Sequence, residues 1–333
     1  MLGNAQAILE RLNDFGVEYI WTSQSNLKDY IPGNWLKNND YEFPDGLENF
    51  SRQLIEWGFK PGLWASPFWF FGEAEGMYEA HRDHLLCDRE GNPFCFETKW
   101  CWSYEDDESP WYHMHKYNLD GTHPDAIRYV KEIYAYYRSI GVRYYMLDFL
   151  GIIDKARLFD QMKTPQQAGC NILREIRETA GEDTYLQTAV ASSPGFTGIV
   201  NAARIGRDFG EGRAIEGGSL NDWRNASNVL HDMHYSNTLY LLKNVAGSYF
   251  THRRTYINDY NLVTIDRPYP IEYARIVSIV FGMVGSNPII LGDDLHVISD
   301  ERLRYVKLIL PRTQFSAVPV TCLTACSRRI TAA

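Results

Sequence analysis

The stretch VRYYMLD (142–148) runs Tyr144, Tyr145, Met146 and Leu147 together and ends on the carboxylate of Asp148. An apolar run of this length without polar alternation belongs to a strand covered on both faces, as in a parallel sheet. A helical pattern from Pro124 to Ile140 precedes it, with proline in the first turn where helix starts favour it. A second helical pattern, Pro165 to Thr179, follows. Working outward, the same alternation continues in both directions. Upstream, helix 4–15 leads to VEYIWT (17–22), and helix 46–56 leads to FKPGLWA (59–65). Downstream come strands at 184–190 and 199–206, a long helix at 222–245, a strand at 256–266, a helix at 271–283, a strand at 287–292 and a helix at 300–310.

This order predicts an α/β fold in which each strand is followed by a helix. The chain opens on a helix, so the expectation is a (β/α)8 TIM barrel lacking or truncated at its first strand. A doubly wound nucleotide-binding sheet loses its main support, because no GxGxxG turn follows any strand. No repeat or Pro/Gly/Ser linker divides the chain. Residues 1–312 read as one barrel domain, with a long aromatic loop at 66–122. Residues 313–333 read as an irregular tail whose abrupt change of character suggests truncated or frame-altered sequence.

The 333 residues are 45% apolar and 23% charged, the balance of an ordinary globular protein. A net charge of −9 provides no electrostatic footprint for nucleic acid or an anionic membrane. A homo-oligomer is compatible with it. The longest useful apolar run, Ile276 to Val284, is nine residues, well short of a membrane span. The N-terminus lacks the basic start and apolar middle of a signal peptide, and none of the six cysteines forms a CxxC pair. Those two features point to reduced thiols and a cytoplasmic location. A zinc reading of Cys87, Cys95 and Cys101 with His81 and His84 matches no compact knuckle spacing.

In a barrel, chemistry is carried at the C-terminal strand ends. Those ends supply Trp21 to Gln24, Trp64 with Ser66, Asp148, Gln187 with Thr188, Arg204 with Asp208, Asn258 with Asp259, and Asp293 with Asp294. Two carboxylates on one barrel face suit glycoside hydrolysis, one attacking the anomeric carbon while the other protonates the leaving oxygen. The bland alternatives stay open at this point. Asp148 could cap a helix or fix a loop, and Asp208, flanked by arginines, could form a surface ion pair. Asp293 and Asp294 with His252 offer a weaker metal-site alternative. The aromatic segments PFWFFG (67–72) and SPWYHMHKY (109–117), with Trp100 and Trp102, offer flat faces for sugar rings or simply a packed lid.

The order of several motifs resembles the α-galactosidase (melibiase) clan of glycoside hydrolases. Gly33-Asn34-Trp35, Phe43-Pro44-Asp45-Gly46-Leu47 and Gly58-Phe59-Lys60-Pro61-Gly62-Leu63-Trp64 match the clan's early segment. Asn118-Leu119-Asp120, Arg204-Ile205-Gly206-Arg207-Asp208, Tyr256-Ile257-Asn258-Asp259 and Leu291-Gly292-Asp293-Asp294 follow in the clan's order, over roughly residues 5–310. The resemblance implies a retaining α-glycosidase with Asp148 as nucleophile and Asp208 as general acid and base. It implies that Arg204 holds a hydroxyl beside the anomeric carbon. Trp35 and Trp64 would wall the sugar, and Trp21, Gln24 and Asp259 would contact it. The expected partner is an α-linked oligosaccharide or glycoside, and no cofactor or metal is implied. Carboxyl groups about 5–6 Å apart would mark the retaining mechanism. The chain departs from the clan at Trp21-Thr22-Ser23-Gln24, where an aspartate pair is usual, and at Met146, where a lysine is usual. Losing such polar groups changes which hydroxyl pattern a site accepts. A catalytically degenerate carbohydrate-binding barrel is the alternative reading.

Overall fold

The computed structural model describes residues 1–97, 114–151, 156–189, 194–205, 242–267, 269–284, 288–311, 313 and 315–318. In chain order, the elements are α1 (Leu2–Arg11), β1 (Tyr19–Thr22), α2 (Leu47–Glu56), β2 (Lys60–Ala65), β3 (Trp69–Phe71), α3 (Met77–His81), β4 (Phe96–Glu97) and β5 (His115–Asn118). They continue with α4 (Pro124–Ser139), β6 (Tyr144–Leu147), α5 (Pro165–Ala180), β7 (Tyr185–Thr188) and β8 (Ala202–Arg204). The last are β9 (Ile257–Asp259), β10 (Leu262–Val263), α6 (Ile271–Val284), β11 (Ile290–Leu291) and α7 (Asp300–Ile309). The chain divides into two compact units, one of Glu18–Asn201 with Met1, the other of Leu2–Val17 with Ala202–Ala333.

In the first unit β1, β2, β6 and β7 pair side by side and all parallel. Register places Gly62 opposite both Trp21 and Tyr144. A Cβ at Gly62 would meet Trp21 Cβ and Tyr144 Cδ1 at 2.7 Å, so only glycine fits between those rings. Tyr144 stacks on Tyr185 at 6.0 Å and meets Trp21 at 5.9 Å, which makes one aromatic layer. The next layer on the same face is Trp64, Met146 and Gln187, again in register. Pleating turns Tyr145 and Leu147 to the opposite face, where Tyr134 of α4 meets the Tyr145 ring at 4.9 Å.

Local signals explain where the helices of this unit start. His123 caps α4, its side chain accepting from the backbone N–H of Asp125, with proline at the first helical position. Thr164 and Gln167 form a reciprocal capping box at α5. Arg177 of α5 fastens the loops around β7, donating to the carbonyls of Gly181, Thr184 and Ile199 and to Asn201 Oδ1.

The second unit holds two parallel pairs, β8 with β9 and β10 with β11. Helices α6 and α7 pack together, Ser278 Oγ donating to the Tyr305 carbonyl at 3.1 Å. Helix α1 joins this unit through Asn4, which bonds the Asp293 carbonyl and the Leu295 N–H, and through Arg11, which binds the carbonyls of Leu295 and Ile298.

The α/β class with parallel strands agrees with the expectation, and the pairings among the described residues do not close a ring. Two expectations are corrected. The segment expected as an aromatic loop carries a three-stranded antiparallel sheet, β3-β5-β4, because Trp69-Phe70-Phe71 pair with Lys116-Tyr117-Asn118. The strand expected over 256–266 breaks into β9 and β10. Asn261 sits at φ 90°, its side chain accepting from Leu262 N–H while Asp259 Oδ1 accepts from Asn261 N–H. A local turn of this kind outcompetes the sheet ladder. Of the helix expected over 222–245, residues 242–248 are described and are helical, and the rest lies outside the described residues. Most of the tail from 313 onward lies outside them as well. No described helix is long and apolar enough to cross a membrane.

Candidate active site

Asp148 follows β6 directly, and its backbone N–H donates to the Ala65 carbonyl of β2 at 2.8 Å. The side chain is half-buried. Trp64, on the neighbouring strand, donates its indole N–H to Asp148 Oδ2 at 3.2 Å. Phe149 donates its backbone N–H to Asp148 Oδ1 at 2.7 Å. Each carboxylate oxygen therefore has a donor that sets the orientation of the group. Phe149 sits at φ 50°, a left-handed conformation uncommon outside glycine. Such strain persists only where surrounding structure over-determines it. Here the Phe149 ring meets Trp64 edge-on at 5.8 Å, which fixes the turn that follows Asp148.

The tryptophans form a connected wall. Trp35 stacks on Trp64 at 6.2 Å, and Tyr137 of α4 donates its hydroxyl to the Trp35 carbonyl at 2.6 Å. Trp69 donates its indole N–H to the Gly151 carbonyl at 2.7 Å. Lys116 lies across Trp69 and Phe149, its Nζ 4.6 Å and 5.5 Å from their ring centroids. Behind this wall Trp35, Ser66, Trp69, Tyr129 and Tyr134 help line a cavity of about 10 Å³. That is room for one water and not for a sugar.

The structure brings Trp35, Trp64 and Asp148 together. Trp21 lies one layer below them against Tyr144. Gln24 is half-buried after β1 in a left-handed conformation, φ 60°. Asp208 lies outside the described residues, and so does any Asp148–Asp208 separation. In the second unit Arg204 and Asp259 pair with each other, Nε to Oδ2 at 3.2 Å, and both are buried. The aspartates of the alternative metal reading serve backbone instead. Asp293 accepts from the N–H groups of Ile265 and Asp266, and Asp294 from that of His296, while His252 Nδ1 accepts from Asn258 N–H. Burial pushes the Asp293 carboxyl up from its ordinary range.

Lys116, Trp69 and Phe149 were not expected at the site individually. A lone lysine in an aromatic segment carries no spacing signal, and only the β3-β5 pairing brings it to the turn after Asp148. A separate cluster joins His84, His123 and Asp125, whose ligand atoms lie within 4.8 Å of one another. Each already has a structural partner. His84 Nε2 meets His81 Nδ1 at 2.6 Å, His123 caps α4, and Asp125 binds Arg128 at 2.5 Å.

No family profile matches the chain. Comparison of folds is informative. An α-galactosidase from Thermus thermophilus, solved with p-nitrophenyl α-D-galactopyranoside, matches at TM-score 0.65 and 18% identity, over 92% of this chain and 58% of that one. A GH27 β-L-arabinopyranosidase from Geobacillus stearothermophilus matches at 0.58 and 14% identity, over 92% of this chain and 69% of the enzyme. A GH31 sulfoquinovosidase from E. rectale matches at 0.58 and 14%, over 92% and 44%. The chain thus spans well under two thirds of the length of the Thermus enzyme. At these identities the likeness is one of fold. The chain has the fold of the catalytic barrels of GH27 and GH36 α-galactosidases.

Proposed function

We propose that the protein is a retaining α-glycoside hydrolase, α-galactosidase-like, acting on α-linked oligosaccharides or glycoconjugates. The observation that carries this reading is Asp148 itself. Its carboxylate stands at a C-terminal strand end, oriented by the Trp64 indole and the Phe149 amide within a wall of tryptophans. In this reading Asp148 attacks the anomeric carbon and displaces the aglycone, forming a glycosyl ester. Asp208 gives a proton to the leaving oxygen, then takes one from the water that hydrolyses the ester. The indole and amide donors hold the carboxylate in a fixed orientation, which suits a nucleophile. Trp35 and Trp64 supply apolar faces for the sugar ring, with Trp21 and Gln24 deeper and beside them. Arg204 and Asp259 act as a unit, the pair presenting a fixed guanidinium to a hydroxyl. The two-aspartate chemistry draws on no cofactor. Met146 stands where the clan has a lysine, and Ser23-Gln24 where it has aspartates, so the sugar accepted differs from galactose in its hydroxyl pattern or substituents.

Hydrolysis of a panel of aryl α-glycosides by wild type, Asp148→Ala and Asp208→Ala tests the reading. Wild-type turnover lost in both variants is the expected result. Asp208→Asn should retain activity toward good leaving groups and lose it toward poor ones. Turnover that survives both alanine substitutions removes the assignment. Sugar binding without any turnover would instead favour a carbohydrate-binding barrel, the reading to which Met146 and Ser23 lend weight.

A further inference from the structure

The fold half-buries Lys116, and among the described residues no carboxylate pairs with its charge. Its Nζ stands over the faces of Trp69 and Phe149, and no described carboxylate forms an ion pair with it. A lysine that only covers apolar surface extends its ammonium to water. Here the ammonium rests on two rings instead, one of which, Phe149, belongs to the turn after Asp148, while the other, Trp69 of β3, is hydrogen-bonded to that turn. Phe149 is the residue after Asp148 and touches Trp64, the donor to Asp148 Oδ2, while Trp69 holds the Gly151 carbonyl at the far end of the turn. Burial pulls the Lys116 pKa down, as expected of a cation that loses hydration. Ring faces compensate a cation in part. A ligand anion would complete the compensation, and a neutral hydroxyl would do so far less well.

We propose that Lys116 is a specificity-determining residue that selects glycosides whose sugar bears an anionic substituent, a carboxylate, sulfate or sulfonate. The inference rests on the hydrolase reading for its site. An anionic group seated against Lys116 gains a charge-assisted hydrogen bond in a partly desolvated place, where such bonds are strong. In a chain of net charge −9 the approach of an anion is otherwise disfavoured, so a local cation is what admits one.

The test compares kcat/KM for three 4-nitrophenyl α-hexopyranosides: the neutral sugar, its 6-carboxylate and its 6-sulfate. Wild type should prefer at least one anionic substrate by tenfold or more. Lys116→Met should lower the anionic-to-neutral ratio by at least tenfold, chiefly through KM, and Lys116→Arg should restore most of it. Lys131→Met, at an exposed lysine paired with Glu175, should leave the ratio unmoved. Equal use of neutral and anionic substrates by wild type, or an equal loss for both in Lys116→Met, overturns the proposal. Calorimetric binding of a free hexuronic acid and of the matching hexose separates the two layers of the argument. Uronate binding that depends on Lys116, without turnover of any glycoside, rejects the hydrolase reading and keeps the selectivity. Turnover without anion preference does the reverse, and absence of both turnover and uronate binding rejects both.

Discussion

Asp148 and Asp259 both stand at the C-terminal ends of parallel strands, yet the fold treats them in opposite ways. Asp259 is fully buried, with Arg204 of the adjacent strand directly opposite in register and bonded to Oδ2 at 3.2 Å. Its other oxygen accepts from Asn261 N–H at 2.8 Å and so fixes the turn between β9 and β10. Asp148 is half-buried, and the Trp64 indole and Phe149 amide hold its two oxygens. A carboxylate closed by a guanidinium on the neighbouring strand is already committed. The other has an indole N–H on one oxygen and a backbone amide on the other, and it is only half-buried. The same residue type at the same kind of position thus pairs with a buried guanidinium in one unit and meets an indole and a backbone amide in the other.

The largest effect on stability should come from the anchored side. Asp259→Asn removes the carboxylate with which the buried Arg204 guanidinium pairs, which costs on the order of 3–5 kcal/mol. Denaturant unfolding should show that loss, and a change below about 1 kcal/mol would mean that the pair is not a buried element of stability. Asp148→Asn should change stability far less, because that carboxylate is only half-buried. Next comes Gly62→Ala, where a methyl driven against Trp21 and Tyr144 should cost about 1–3 kcal/mol by overpacking. An unchanged midpoint would show that the aromatic layer yields.

The smallest effect is a pH dependence in the first unit. Burial, with His84 alongside, lowers the His81 pKa to about 4 from an ordinary value near 6.5. The folded chain therefore holds this ring neutral where the unfolded chain would protonate it. Stability conferred by the neutral ring is complete above pH 6.5 and falls as the pH drops from 6.5 towards 4. Burial lowers the His84 pKa as well, which adds to the same slope. The unfolding free energy of His81→Gln should decline less steeply over that window than that of wild type, and parallel curves would contradict the assignment.

Much of this comparison was legible in the sequence. The run Tyr144 to Leu147 ending on Asp148 reads as a buried parallel strand, and it is one, because its two faces meet the Tyr19–Trp21 layer and helix α4. Trp64 beside Asp148 was legible from two adjacent strand ends. The antiparallel sheet at 69–118 was not, since its β3–β5 partners lie over 40 residues apart and its aromatic runs show no alternation. Neither was the break at Asn261, where one side chain bonding its own backbone overrides an apolar run. Taken one at a time in the sequence, Arg204 and Asp259 suggest separate sugar contacts. Their pairing depends on the β8–β9 register, which no local pattern specifies.

The most direct measurement of the central claim is covalent trapping. Incubation with a fluorinated α-glycosyl fluoride, whose glycosyl ester forms faster than it hydrolyses, should add one sugar mass to the protein. After proteolysis, that mass should map to the peptide containing Asp148, and Asp148→Ala should not be labelled. Label on any other carboxylate, or steady turnover by Asp148→Ala, would contradict the assignment of Asp148 as the nucleophile.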